Sequence, residues 1–402
     1  MGRPIAMLIF TFLLLTRSPA AFAQTDTRSG AAVPPAVNRQ QNQLAVSYAV
    51  GIDSTDASGY TVFIHVYSCP QKFRLAMATH REYDDRFWRY IRDFKVWPPA
   101  SFEREDSAVW SIRSPGTQVS ISYRVGFPPP APLHFSHRPF LTAHGGLIGD
   151  LHSFMYPVGY ENTGCAVTLN LPYGWGLAGG IDPMPPPTAD EPPRQDLSID
   201  PAGGQARYPH YFRSASIVQL LDAPILVGRL RRWAFPVDGV LHEIAYLPAT
   251  SSLDLDTAAL AGNIQKIVRT THDIFRAFPY RHYTFLIEDA SAGALEHGNS
   301  VTVGITPADL SNPASGIFEE IAHEFFHAWN GMSIQPPGYT GLNYGRQQLS
   351  PGLWFTEGVT MFYTDLIARR SGLPLEDSTR LSHLTRLITR YISDTGNSVL
   401  PP

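Results

Sequence analysis

Cysteine is nearly absent from this chain. Of 402 residues only Cys69 and Cys165 carry a thiol, which excludes a disulfide-stapled scaffold and any metal site made of clustered thiolates. The two could pair in an oxidising compartment or stand as buried free thiols, and their sequence positions do not decide between these. Charge is scarce as well. Charged residues make up 16% of the chain and the net charge is −4, which gives no reason to propose nucleic acid or an anionic membrane as partner. Long apolar runs are missing: Ile5 to Leu15 is too short for a stable span and no other stretch is longer. Stable membrane insertion is therefore not expected. Internal repeats are missing too, which excludes solenoids and propellers. Hydrophobic residues make up 44% of the chain, enough for sizeable cores in two or three domains.

The short apolar run has a different use. It follows Arg3 and precedes Ala21-Phe22-Ala23, an A-x-A cleavage site ahead of Gln24. Residues 1–23 are expected to be a signal peptide cut near Ala23, leaving a periplasmic or secreted protein; an uncleaved anchor is the alternative. No cysteine follows the cut directly, so a lipid anchor has no attachment point. Residues 24–40, with Pro-Pro and Gly, read as a flexible N-terminus.

From Gln43 the pattern is β. Leu44 to Val50, Tyr60 to Tyr67, Val119 to Val125 and Cys165 to Leu171 alternate apolar and polar residues or are β-branched. Pro and Gly separate them, as in a sandwich-like β domain, expected over residues 41–246. Residues 183–206 are rich in Pro, Asp and Gly and read as a loop or linker. The strand-like segment after it, to about Ala245, is expected to complete this domain. His65, His80, His134 and His137 lack metal spacing and read as structural or surface residues.

Residues 247–402 change character. Asp254 or Asp256 can cap a helix carrying Leu260, Ile264, Ile267, Val268, Ile274 and Phe275, closed by Pro279-Tyr280. Tyr283 to Ile287 and Val301 to Ile305 read as strands, and Leu381, Leu384, Ile388 and Ile392 mark a last amphipathic helix. Strands and helices in separate runs give an α+β fold class.

The chemistry lies between them. Ile321-Ala-His-Glu-Phe-Phe-His-Ala-Trp-Asn330 contains HExxH. Residues four apart on a helix share a face, so His323 and His327 can grip one zinc ion. Glu324 is placed to take a proton from the attacking water. A third ligand is needed, and Glu357, in LWFTEGVTMFYTDL, is the carboxylate available from a second helix. Ser315 can cap the first helix and Gly331 stop it; Ser350-Pro351 and Gly372 with Pro374 bound the second. Asn330 reads either as support for a ligand or as a helix cap. Glu320 and Thr360 lie close enough in sequence to touch the site. The alternative to a metal site is a buried helix with hydrogen-bonded core histidines.

HEFFHAWN followed by LWFTEGVTMFYTDLIARRSGL resembles the signature of the glycyl aminopeptidase family of gluzincin zinc metallopeptidases. Gly293-Ala-Leu-Glu-His-Gly-Asn-Ser300 is similar to that family's GGLEH-x-NS segment, and residues 220–245 look like its junction between β and catalytic domains. The resemblance implies an N-terminal β domain and then a thermolysin-like catalytic domain holding one zinc ion. It implies an aminopeptidase that acts on peptides with a free N-terminus, after small residues such as Gly or Ala. GALEH also resembles the G-x-M-E-N loop of related aminopeptidases, which implies that Glu296 pairs with the substrate's α-amine. Family members continue into further helices and a PDZ domain. Neither is seen before Pro402, so the catalytic domain is expected to be C-terminally incomplete. The tyrosine that stabilises the oxyanion in relatives has no matching motif; Tyr339, Tyr344 and Tyr363 are available, and the role stays unassigned.

Two other functions stay open at this stage. One is a catalytically silent peptide-binding module, suggested by the missing helices. The other is a thermolysin-type endoprotease in which Glu296 plays no part. Oligomeric state is not legible.

Overall fold

A computed structural model of the protein describes residues 44–79, 86–127, 134–186, 207–249, 256–312, 315–335, 352–373 and 377–393. The expected signal peptide, the N-terminal segment, His80, most of the Pro-rich stretch, Ser350-Pro351, Tyr339 and Tyr344 lie outside these residues.

Period-two alternation in the first half produces paired sheets around one core. A seven-stranded sheet has Ala45–Gly51 at its centre, antiparallel to Gly59–Tyr67 and parallel to Cys165–Pro172. Along Gly59–Tyr67, Tyr60, Val62, Ile64 and Val66 point inward and are fully buried. A four-stranded sheet that includes Lys72–Ala76 and Val109–Arg113 adds Phe73, Leu75, Trp110 and Ile112 to the same core. This is the expected sandwich-like domain. Cys69 and Cys165 are both buried and both free, and burial pushes the Cys165 thiol up to about 12.

The second core forms around a five-stranded sheet, in order Arg231–Val237, Val240–Leu247, His282–Asp289, Ser300–Ile305 and Ala294–Glu296. Its first two strands were expected to complete the β domain. Instead Arg231–Val237 lies antiparallel to Val240–Leu247, which itself runs parallel to His282–Asp289 from Leu241↔His282 onward. Apolar alternation in that segment is the same for either sheet, so sequence could not assign it. Asp256 caps the helix Thr257–Phe275: its carboxylate accepts from the Ala259 N–H at 2.9 Å, and Asp254 lies outside the described residues. That helix stops at Arg276 in the left-handed region (φ 59°), three residues before the expected Pro279-Tyr280 end.

A fourth sheet, also of four strands, joins the two cores. Ile148, Ile225 and Val227 face the first core, while Leu147, Leu226 and Ala178 meet Ala245, Leu247 and Leu286 of the five-stranded sheet. The other face of the five-stranded sheet carries Tyr283, Phe285, Ile287, Val301 and Val303 against the helices. Among the described residues no helix is long and apolar enough to cross a membrane.

Candidate active site

The helix Ile317–Phe326 owes its orientation to apolar residues on one side. Ile317, Phe318, Ile321, Ala322, Phe325 and Phe326 are buried, leaving Glu320, His323, Glu324 and His327 as the opposite stripe. Aromatic packing fixes it. Phe325 meets Tyr283 edge-on at 4.9 Å between ring centroids, and Trp329 stacks on Phe275 at 4.8 Å with its indole N–H on Ala277 O. Gly316, in the left-handed region at φ 75°, occupies the N-cap position in place of Ser315, whose hydroxyl donates to Asp309 O at 2.7 Å. The last turn tightens around His327, with Ala328 N–H reaching Phe325 O, and Gly331 follows at φ 129°.

The helix Leu353–Arg370 lies alongside and carries Glu357 in its first turns. Gly352 holds its N-cap position and Gly372, at φ 61°, follows its end. Glu357 Oε2 stands 3.4 Å from His323 Nε2 and 3.5 Å from His327 Nε2. The two Nε2 atoms are 3.2 Å apart. One ligand atom from each of these residues falls within 4.8 Å of the others.

The hydrogen bonds behind the rings set their tautomers. His327 Nδ1 donates to the Asn330 carbonyl at 2.9 Å. Thr364 donates its hydroxyl proton to Thr360 O at 2.8 Å, so the same oxygen accepts from His323 Nδ1 at 3.4 Å. Both Nε2 lone pairs then face one point beside a carboxylate, an arrangement that a cation relieves. Two imidazoles and one carboxylate suit zinc. Without a cation, hydrogen bonds from His323 and His327 hold the Glu357 carboxyl down at about 2. Burial pulls His327 down, but the Glu357 hydrogen bond and the Glu296 charge outweigh it and push it up to about 9.

Glu296 ends the short strand Ala294–Glu296, and its carboxyl lies within hydrogen-bonding reach of Glu324. Burial first, then the charge of Glu296, pushes Glu324 up to about 9. Burial also raises Glu320 beside His323. A cavity of about 1060 Å³ opens past His323 and Glu324, bordered by Glu320, Met361, Phe362 and Leu384. Leu384 belongs to the last helix, Asp377–Ser393, along which Leu381, Ile388 and Ile392 are exposed. Tyr363 stacks on Phe326 at 5.0 Å, its ring committed to core packing. His65 meets Ser120 at 2.9 Å and His134 meets Glu288 at 3.2 Å, away from the site.

Of the sequence-derived residues, His323, Glu324, His327, Glu357 and Glu296 converge. Asn330, read as either a helix cap or support for a ligand, does both: the two protons of its Nδ2 are shared among Phe355 O at 3.2 Å and Thr356 O and Thr360 Oγ1, each at 3.0 Å. Thr364 was missed. The signal for it was present, because Thr356, Thr360 and Thr364 recur at i, i+4, i+8 on one helix face. His297 turns away from the site and meets Asp222 at 3.1 Å.

A helix bearing HExxH, a second helix bearing the acidic partner, and a sheet edge with Glu296 together form a metallopeptidase-type catalytic domain. Comparisons with known proteins agree. A model of the Peptidase M61 N-terminal domain matches residues 47–229, and one of the M61 glycyl aminopeptidase matches residues 317–402. Together these cover about two thirds of the chain, and the chain belongs to the M61 glycyl aminopeptidase family. No curated protein matches it. Among solved structures, an aminopeptidase N family protein from Idiomarina loihiensis aligns with TM-score 0.69 and 20% identity, over 81% of this chain and 55% of that one. The chain thus spans little more than half the length of that relative. An M1 zinc metallopeptidase from Deinococcus radiodurans aligns with TM-score 0.50 and 14% identity, over 90% of this chain and 77% of that one. At such identities the likeness concerns the fold.

Proposed function

We propose that this protein is an exported zinc-dependent aminopeptidase that removes small N-terminal residues such as Gly or Ala from peptides. The observation that carries the reading is the convergence of His323, His327 and Glu357 on one point, with Glu324 and Glu296 side by side next to it. Zinc held by these three residues would supply an activated water and polarise the scissile carbonyl. The rest falls to the chain's own groups. Glu296 would receive the substrate's ammonium and so fix which peptide bond reaches the metal site. The arriving positive charge offsets the like-charge pressure on Glu324 and favours its ionised form. Glu324 would then take the proton of the attacking water and return it to the leaving amine. The peptide beyond the scissile bond has room in the cavity past His323.

Small-residue preference follows the glycyl aminopeptidase description of the matching family. Export rests on the apolar run Ile5 to Leu15 and the Ala21-Phe22-Ala23 site. The test is hydrolysis of glycine and alanine anilides by purified protein. Activity should vanish on chelation and return with zinc; no hydrolysis under any metal condition would leave a silent binding module as the better account.

A further inference from the structure

The carboxylate that reads the amine stands on a hairpin whose tip is held by the other domain. Strand Ala294–Glu296 pairs with Ser300–Ile305, Glu296 facing Val301 across the ladder, and His297 N–H donates to Ser300 O at 2.9 Å. Successive residues of a strand point to opposite faces. Glu296 accordingly meets Glu324 on the helix side, and His297 points back, 2% exposed. There it meets Asp222, in the turn between the helix Ile217–Leu221 and the strand Pro224–Gly228. Both helix and strand pack in the first core. One Asp222 oxygen meets His297 Nδ1 at 3.1 Å and the other accepts from Gly298 N–H at 2.8 Å. A Cβ on Gly298 would stand 3.2 Å from that second oxygen, so glycine leaves the approach open. A second tether lies one residue on, where Asn299 Nδ2 donates to Gly180 O at 3.1 Å.

We infer that Asp222 is a positioning residue for Glu296: through His297 and Gly298 the N-terminal β domain sets where the amine-reading carboxylate stands relative to the zinc ligands. This rests on the reading of Glu296 given above. Two short bonds from one carboxylate fix both the position and the rotation of the hairpin tip, which a single tether would not do. Asp222 itself lies behind the hairpin and reaches the substrate through Glu296. The domain contact thereby becomes a determinant of exopeptidase specificity as well as a packing surface.

The experiment is a double-mutant cycle on the zinc-loaded full chain, with alanine p-nitroanilide as substrate and zinc content measured throughout. Asp222→Ala should raise KM about tenfold or more, with zinc content kept and kcat changed much less, because misplacement of about 1 Å is enough for such a loss. Asp222→Asn keeps one acceptor for Gly298 N–H and should fall between wild type and Asp222→Ala; it also serves if the alanine variant does not fold. In a Glu296→Ala background the Asp222 substitutions should add nothing further, within about twofold. Equal losses in both backgrounds, or an unchanged KM, would overturn the positioning role and leave the amine reading intact. Full activity of Glu296→Ala on its own would overturn the amine reading and the positioning role with it.

Discussion

Replacing Asn330 tests whether the metal site is held by one side chain between two helices. Asn330 is 3% exposed, and the two protons of its Nδ2 are shared among three acceptors on the Glu357 helix while its carbonyl holds the His327 ring. In Asn330→Ala the carbonyl stays and both amide donors go. A neutral buried hydrogen bond contributes about 1 kcal/mol net, so the metal-free protein should lose about 2 kcal/mol in chemical unfolding. Zinc affinity should fall as well. Support behind ligands is commonly worth about ten- to a hundredfold in affinity, and here its loss frees Glu357 to drift from the two Nε2 atoms. Asn330→Asp should be worse than Ala, since it sets a carboxylate against two backbone carbonyls it cannot donate to. Zinc affinity is read by chelator competition and stability by denaturant unfolding of the metal-free form. A variant that loses stability yet binds zinc as tightly as wild type would refute the tether and reduce Asn330 to a helix cap.

Glu324→Gln should keep zinc and the fold but lower kcat about a hundredfold or more, the scale of a positioned acid–base group; normal turnover would remove Glu324 from the base role. Glu288 offers a pH prediction away from the site. Burial drives its carboxyl well above the ordinary 4.5, against an opposing Ser291 hydrogen bond. A raised folded-state pKa means stability that is full below about 4.5 and is lost as pH rises from there toward the folded value. Glu288→Gln should therefore flatten the decline of the unfolding midpoint as pH rises above about 4.5; an unchanged slope would mean that Glu288 is not its source.

Much of the site was legible because its chemistry is local in sequence. HExxH puts two ligands and a base on one helical turn, and the apolar spacing of Ile317 to Phe326 dictates which stripe faces the core. Glu357 was legible as the one carboxylate placed early on the next helix. The seam made by the joining sheet was not. Its strands Gly145–Gly149 and Pro224–Gly228 come from distant segments and read as apolar runs with no indication of partner. The same ambiguity misplaced Arg231–Leu247, whose alternation suits either sheet. Asp222 was invisible for a different reason: one Asp after a short helix is an ordinary cap, and only the fold brings it within 3.1 Å of His297.

The central claim is that a free amine is read beside a zinc-loaded His323–His327–Glu357 site. The most direct test gives one alanyl peptide, with and without N-terminal acetylation, to zinc-loaded wild-type protein and identifies the products by mass. The account predicts release of a single N-terminal residue from the free peptide and none from the acetylated one. Internal cleavage of both peptides at similar rates would contradict it and point instead to an endoprotease.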